Sequence, residues 1–158
     1  MELRPEAATR AEVAELFAAR REELEALVPG AEVRHIGATS VPGSLTKGDL
    51  DILLSVPVER LGAVVEVLET RLAINQPEIW SATFASFEER PAGPIAVGVQ
   101  LVASGSPDEA MFIRWRDLLI ADPDLLRRYN ELKQGAAGGD RDHYIAAKGR
   151  FIESHDGR

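Results

Sequence analysis

The chain reads as an α+β fold: a mixed β-sheet flanked by helices, followed by a C-terminal helical segment. Three observations point there. Stretches with helical periodicity at 10–27, at 58–72 and beyond 106 alternate with short β-rich runs. The run Asp49–Val56 (DLDILLSV) is apolar after its first three residues, as a strand covered on both faces must be. No internal repeat or long linker divides the 158 residues, so one domain is expected, with a strand-loop-strand core over about 32–103 and helices over about 106–153.

Taken in order, residues 10–27 place Val13, Leu16, Phe17, Arg20, Leu24 and Leu27 near one helical stripe. Thr9 is expected to cap this helix, with Glu12 as the reciprocal capping-box partner. Val28-Pro29-Gly30 stops it. Glu32–Ile36 reads as a short strand entering a polar loop, GATSVPGSLTKG, over 37–48. The strand Asp49–Val56 follows and ends at Pro57; Val58–Leu72 then forms a second helix on Leu61, Val64, Val65 and Leu68. Trp80–Phe87 and Ile95–Ala103 flank a Pro/Gly turn and predict a hairpin. Ser106, Pro107 and Glu109 are the cap, first residue and capping-box acid of a helix running to Ile120. Asp122-Pro123 restarts a helix over Asp124–Lys133, and Asp140 caps a last one over Arg141–Ile152.

Composition narrows the chemistry. The formal charge is −8, from 18 basic and 26 acidic residues, which disfavours a long nucleic-acid backbone as partner because phosphate binding draws on clustered Lys and Arg. The absence of Cys removes disulfides, thiolate metal sites and Cys nucleophiles together. Three scattered His make no metal motif, and no Ser has a His/Asp signal beside it. No apolar run approaches the roughly 18 residues a membrane span needs. Residues 1–16 carry acids and no apolar core, so they do not read as a secretory leader, and a cytoplasmic location is expected.

The chemistry-bearing stretch is Gly37–Ser40 followed by Asp49-Leu50-Asp51-Ile52. Residues two apart on a strand share a face, so Asp49 and Asp51 project together. Two carboxylates so placed repel unless a cation lies between them, and Mg²⁺ fits, completing its octahedron with substrate phosphates and water. The loop suits a triphosphate: Gly37, Gly43 and Gly48 allow close backbone approach, Thr39, Ser40, Ser44 and Thr46 offer hydroxyls, and Lys47 a charge. Taken alone, an Asp-x-Asp opening a strand is more often a solvated strand end. The loop also lacks the Gly-Lys-Ser/Thr ending of a P-loop, against a Walker-type kinase.

Ile36-Gly37-Ala38 with Asp49-Leu50-Asp51-Ile52 resembles the signature of the nucleotidyltransferase superfamily of the DNA polymerase β type. Within it, His35-Ile36-Gly37-Ala38-Thr39-Ser40-Val41-Pro42-Gly43 is similar to the signature stretch of the GrpB family. The likeness continues through Trp115–Leu119 with Asp122-Pro123, through Tyr129–Lys133, and through Asp140–Asp142 to Tyr144 and Lys148, so it covers about residues 10–153. Two departures stand out. GrpB members often carry His-x-His where this chain has Gly98-Val99-Gln100, and neither hairpin strand, Trp80–Phe87 or Ile95–Ala103, holds the third carboxylate of active nucleotidyltransferases. Glu88 and Glu89 lie at the hairpin turn and can serve only if the fold brings that end to the metal. Conversely, Asp49 stands where GrpB proteins commonly have an apolar residue.

The resemblance implies a nucleotidyltransferase-like fold. It implies Asp49 and Asp51 as Mg²⁺ ligands and catalytic acids, and Gly37, Ala38, Thr39, Ser40 and Lys47 around the phosphates. The expected partners are a nucleoside triphosphate and a small-molecule or protein acceptor; the alternative is a catalytically inactive nucleotide- or ligand-binding module that keeps the fold. His35 and Gln100 also border this region; for His35 a packed structural role is the commoner reading. Tyr144 and Lys148 share a helix face, where base stacking and phosphate binding compete with a core Tyr beside a surface Lys. Arg114, Arg116, Arg127 and Arg128 fall among acids and read as a salt-bridged surface.

Overall fold

The computed structural model of the chain describes residues 2–136 and 148–154. Among the described residues seven strands, β1 (Arg4–Pro5), β2 (Glu32–Ile36), β3 (Leu45–Thr46), β4 (Leu50–Val56), β5 (Ala73–Ile74), β6 (Phe84–Glu88) and β7 (Val97–Ala103), are interleaved with helices α1 (Arg10–Leu27), α2 (Val58–Glu69), α3 (Pro107–Ala121) and α4 (Pro123–Ala136). Residues 148–154 are also helical. The main sheet has the order β2-β4-β7-β6-β5. It is mixed: β4 runs parallel to β7, and the other neighbours pair antiparallel. The parallel pair requires a crossover, which α2, β5 and β6 supply.

Strand alternation divides the core. Leu50, Ile52, Leu54 and Val56 of β4 are fully buried with Val97, Val99 and Leu101 against Val13 and Leu24 of α1 and Leu61, Val64 and Leu68 of α2. On the other face Ile36, Leu53, Phe84 and Val102 pack with Phe112 and Ile113 of α3. A third cluster, Val41, Leu119, Leu125 and Tyr129, holds α4 against α3 and the loop after β2. Asp51 lies on the α3 face of β4, in register with Ile36 on one side and Gly98 on the other.

Most elements follow the periodicity; the departures have physical causes. Thr9 does not cap α1. A 3-10 turn over Glu6–Ala8 leads into the helix and leaves Thr9 in the αR region rather than extended, so its hydroxyl donates back to the Glu6 carbonyl (3.0 Å) and the box with Glu12 does not form. At α3 the Ser106 Oγ does accept from Glu109 N–H (3.2 Å), but the Glu109 carboxylate reaches one residue further back, to Gly105 N–H (3.0 Å). Helix α2 ends at Glu69, and β6 runs one residue beyond the expected Phe87, to Glu88. The expected cap Asp140 and the first part of the last helix, including Tyr144, lie outside the described residues.

Candidate active-site cleft

The site grows from the β2–β4 connection. Gly37 has φ +79° and ψ −176°, a backbone region closed to residues with a Cβ. Ala38–Ser40 then make one 3-10 turn, closed by Ser40 N–H to Gly37 O (3.0 Å) and reinforced by Ser40 Oγ to the same oxygen (2.6 Å). Thr39 Oγ1 donates to the carbonyl of Asp49 (2.8 Å) and lies 2.9 Å from His35 Nε2. Its one proton is thus spent on Asp49, so His35 Nε2 is the donor to it. The end of β2 is thereby tied to the start of β4. His35 itself turns to the opposite face of the sheet, stacked on Phe17 (5.2 Å), where burial lowers its pKa and favours the neutral ring.

Helix α4 fastens the rest of the loop. Asn130 Oδ1 accepts from Leu45 N–H (3.0 Å), Asn130 Nδ2 donates to Gly43 O (3.1 Å), and Lys133 Nζ donates to Leu45 O (2.8 Å). Lys133 is only 4% exposed and lies over the Tyr129 ring, 4.4 Å from its centroid; burial, with Lys148 nearby, pushes its pKa down to about 7. Sequence reading missed Lys133 as a site residue. The available signal was the Tyr129–Lys133 spacing, which places both on one helical face.

These elements wall a cleft of about 520 Å³ on the α3 face of the sheet. Asp49, Asp51, Gly37, Ala38, Lys47, Gln100, Glu88 and Lys148 line it, together with Trp115, Arg116, Tyr129 and Lys133. The expected residues His35, Thr39 and Ser40 are not among its lining residues. Lys47 Nζ stands 3.3 Å from Asp49 Oδ2, both well exposed. Asp51 sits deeper, and its carboxyl group receives no hydrogen bond among the described residues. Burial raises its pKa to about 6, with Asp49 adding to the effect and Lys148 and Lys47 opposing it. It is cradled by two glycines: a Cβ at Gly37 would overlap Oδ2, and one at Gly98 would come within 3.3 Å of Oδ1.

The fold family implies a divalent cation, and the cradle fits one. A carboxylate without donors, open only to a cleft, with a second carboxylate two residues earlier, is the one- or two-carboxylate set that Mg²⁺ takes alongside substrate phosphates and water. Among the described residues no three acidic or His side chains converge closely enough to form a complete protein cage. Lys47 and Lys148 border the same space and offset its acids.

A mixed sheet with an Asp-x-Asp at the mouth of an interior strand, facing a glycine turn, defines a nucleotidyltransferase-like fold. Comparison with solved structures agrees. Cid1 poly(U) polymerase with MgGTP superposes with a TM-score of 0.51 at 12% identity, over 75% of this chain and 39% of that one. Cid1 with its short product ApU gives 0.52 at 14%, over 79% and 38%, so this chain spans about two fifths of the polymerase. Conserved protein GrpB from Enterococcus faecalis matches at a TM-score of 0.72 and 22% identity, over 90% of this chain and 88% of that one. A UPF0157 protein of Vibrio cholerae is 38% identical over 138 residues, covering 83% of this chain and 69% of that protein. The family model described as GrpB protein matches residues 7–158. The chain belongs to the GrpB family.

Proposed function

We propose that this protein binds a nucleoside triphosphate with Mg²⁺ in the cleft and transfers its nucleotidyl group to a hydroxyl of a small-molecule or protein acceptor. The observation that carries the reading is Asp51, an undonated carboxylate facing the same cleft as Asp49, Lys47, Lys133 and Lys148. A bound Mg²⁺ would neutralise the phosphates and the departing pyrophosphate. The chain's own groups do the rest. Asp49 and Asp51 hold the cation; Gly37 and Ala38 let the phosphate tail approach the backbone; Lys47 and Lys148 supply positive charge. The acceptor oxygen forms a bond to the α-phosphorus, the α–β phosphoanhydride bond breaks, pyrophosphate leaves, and the hydroxyl proton passes to solvent. Positioning and charge complementarity lower the barrier, with no covalent enzyme intermediate.

A second reading, a binding module without catalysis, is favoured by one observation: no third acid converges on Asp49 and Asp51 among the described residues. Nucleotide titration by calorimetry with and without Mg²⁺, paired with a pyrophosphate-release assay against the double variant Asp49→Ala/Asp51→Ala, separates the two. Metal-dependent binding with release above the double variant supports transfer. Binding without release leaves the module. No metal-dependent binding of any triphosphate refutes transfer and leaves only a module for a ligand other than a nucleotide.

A further inference from the structure

One end of the cleft plays no part in the reading above. Sheet order places β4 and its loop on one side of β7, and β6 with the segment after β5 on the other. The cations gather on the loop side: Lys47 is paired to Asp49, Lys133 donates to Leu45 O, Lys148 lies near Lys133, and Arg116 donates to His35 O (3.2 Å). Neutral amides line the other side. Gln100 of β7 stands opposite Ser86 of β6, and Asn75 Nδ2 donates to Ser86 Oγ (3.1 Å), so the three form one polar row. The Gln100 amide makes no hydrogen bond among the described residues. It leans over Gly98: its Nε2 lies 3.8 Å, and Asp51 Oδ1 3.3 Å, from the point a Cβ on Gly98 would occupy. Gln76 also lines the cleft and, among the described non-glycine residues, alone has a positive φ (+47°, ψ +55°). Such a conformation persists only where neighbours impose it. Here Asn75 N–H to Ser86 O (2.9 Å), Trp80 Nε1–H to Asn75 O (2.9 Å) and Ile79 N–H to Gln76 O (3.1 Å) do so.

We infer that this amide-lined end is the acceptor subsite, and that Gln100 and Gln76 select an uncharged, hydroxyl-rich small molecule of the sugar or polyol class. The inference rests on the nucleotidyl-transfer reading and names its acceptor. The attacking and leaving oxygens at a phosphorus centre stand roughly in line. Pyrophosphate departs toward Lys47 and Lys148, so the acceptor oxygen approaches from the opposite end, where Gln100 borders Asp51. That oxygen bonds to the α-phosphorus, the α–β phosphoanhydride bond breaks, pyrophosphate keeps its electron pair, and the hydroxyl proton passes to water. A primary amide offers a donor and an acceptor side by side, as neighbouring hydroxyls on a sugar do, so the two match with no charge on either. Met111 and Phe112 of α3 give the cleft an apolar wall for the C–H face of a ring. A phosphorylated or carboxylated acceptor would find no counter-charge, since among the described residues no Lys or Arg of β5, β6, β7 or 75–76 lines the cleft. Glu88, the charged lining residue on those strands, is already paired with Arg90, whose Nε–H donates to it at 2.6 Å. Gln100 lies on the sheet floor that α3 covers, so a group has to enter the cleft to reach it, which favours a small molecule over a protein surface.

Two measurements on the full chain test it. Calorimetry with Mg²⁺ and the α,β-methylene analogues of the four nucleoside triphosphates reads the nucleotide. Saturation-transfer NMR, with the tightest analogue bound, reads D-glucose, D-ribose, myo-inositol and glycerol beside glucose 6-phosphate and gluconate. At least one neutral probe is expected to bind the wild type, and more tightly than either anion. Gln100→Ala should weaken it about fivefold or more, the worth of one hydrogen bond. Gln76→Gly should weaken it too, yet melt no lower than the wild type because the left-handed strain is relieved, a pairing that misfolding cannot produce. Both variants should hold the nucleotide analogue within about twofold of the wild type. If no neutral probe binds beyond Gln100→Ala, or if glucose 6-phosphate outbinds glucose, the acceptor class is overturned and the nucleotide reading stands on its calorimetry. If Gln100→Ala loses nucleotide affinity about tenfold, the amides read the nucleotide itself and the acceptor subsite is overturned. If no analogue binds with Mg²⁺, the transfer reading falls and the acceptor role with it.

Discussion

Replacing Gly37 by Ala tests the local geometry most directly. The Gly37 backbone lies at φ +79° and ψ −176°, a region essentially reserved for glycine, and holding alanine there costs about 1–3 kcal/mol. The new methyl would overlap Asp51 Oδ2 and stand 3.0 Å and 3.1 Å from the Asp51 Cβ and Cγ. Forcing that side chain aside is an overpacking cost of about 1–3 kcal/mol. The two costs sum to about 2–6 kcal/mol, a large share of the roughly 5–15 kcal/mol of a typical domain, and at the middle of that range roughly 10 °C in Tm for a chain of this size. Urea unfolding at pH 7, with an unchanged m-value, measures it. Two controls isolate the cause. Gly62→Ala, in the middle of α2 with nothing within 4 Å of the new methyl, should stabilise by about 0.5–1 kcal/mol. In an Asp51→Ala background the overlap with carboxylate atoms is gone while the backbone strain stays, so Gly37→Ala should cost at least about 1 kcal/mol less there. A loss under about 0.5 kcal/mol, or the same loss in both backgrounds, would refute the reasoning.

Two further expectations concern pH. The Asp51 pKa is raised from 3.8 to about 6, so between those values the native state keeps a proton that the unfolded chain has released. Stability attributable to Asp51 therefore falls as pH rises from about 4 to 6. At neutral pH this penalty has an upper bound of about 3 kcal/mol. Asp51→Asn should be more stable than the wild type at pH 7 and equal to it at pH 3.5, by denaturant midpoint; an equal offset at both values would contradict the assignment. The Lys133 pKa is lowered from 10.5 to about 7, so above pH 7 the native state releases a proton the unfolded chain retains, and stability should rise. The wild type is expected to gain up to about 1.4 kcal/mol per pH unit between pH 7 and 9 from this group, and Lys133→Met to lose that slope. An unchanged slope in the variant would be the contrary result.

The elements most easily read from sequence are those stabilised by local repetition. The stripe of Val13, Leu16, Phe17 and Leu24 marks α1 over the observed Arg10–Leu27, and the apolar run of β4 together with the β-rich Glu32–Ile36 marks the two strands that carry the site. Ser106 and Pro107 mark the start of α3 because capping is satisfied within four residues. Asp49 and Asp51 were legible for the same reason, since their spacing alone places both toward one cleft. Thr9 was misread because its conformation depends on the 3-10 turn before it, and that turn is held by Glu6 N–H to Ser44 O, a bond across 38 residues of chain. The pairing of β1 with β3 is two residues long on each side and equally non-local.

By itself, the sequence determined the fold class, the order of helices and strands, the membership marked by Gly37–Gly43, and the pair of acids at the mouth of β4. Each of these is written in contiguous residues whose period or chemistry is readable without neighbours. Only the tertiary structure decided which groups share the cleft. Register across β4, β7 and β6 puts Glu88 in one row with Gly98 and Asp51, and sends Glu89 to Arg20 on the other face. Packing of α4 on the loop turns Lys133 from an ordinary helical lysine into a buried amine donating to Leu45. Strand register and helix docking are set by contacts between residues far apart in the chain, and no local pattern encodes them.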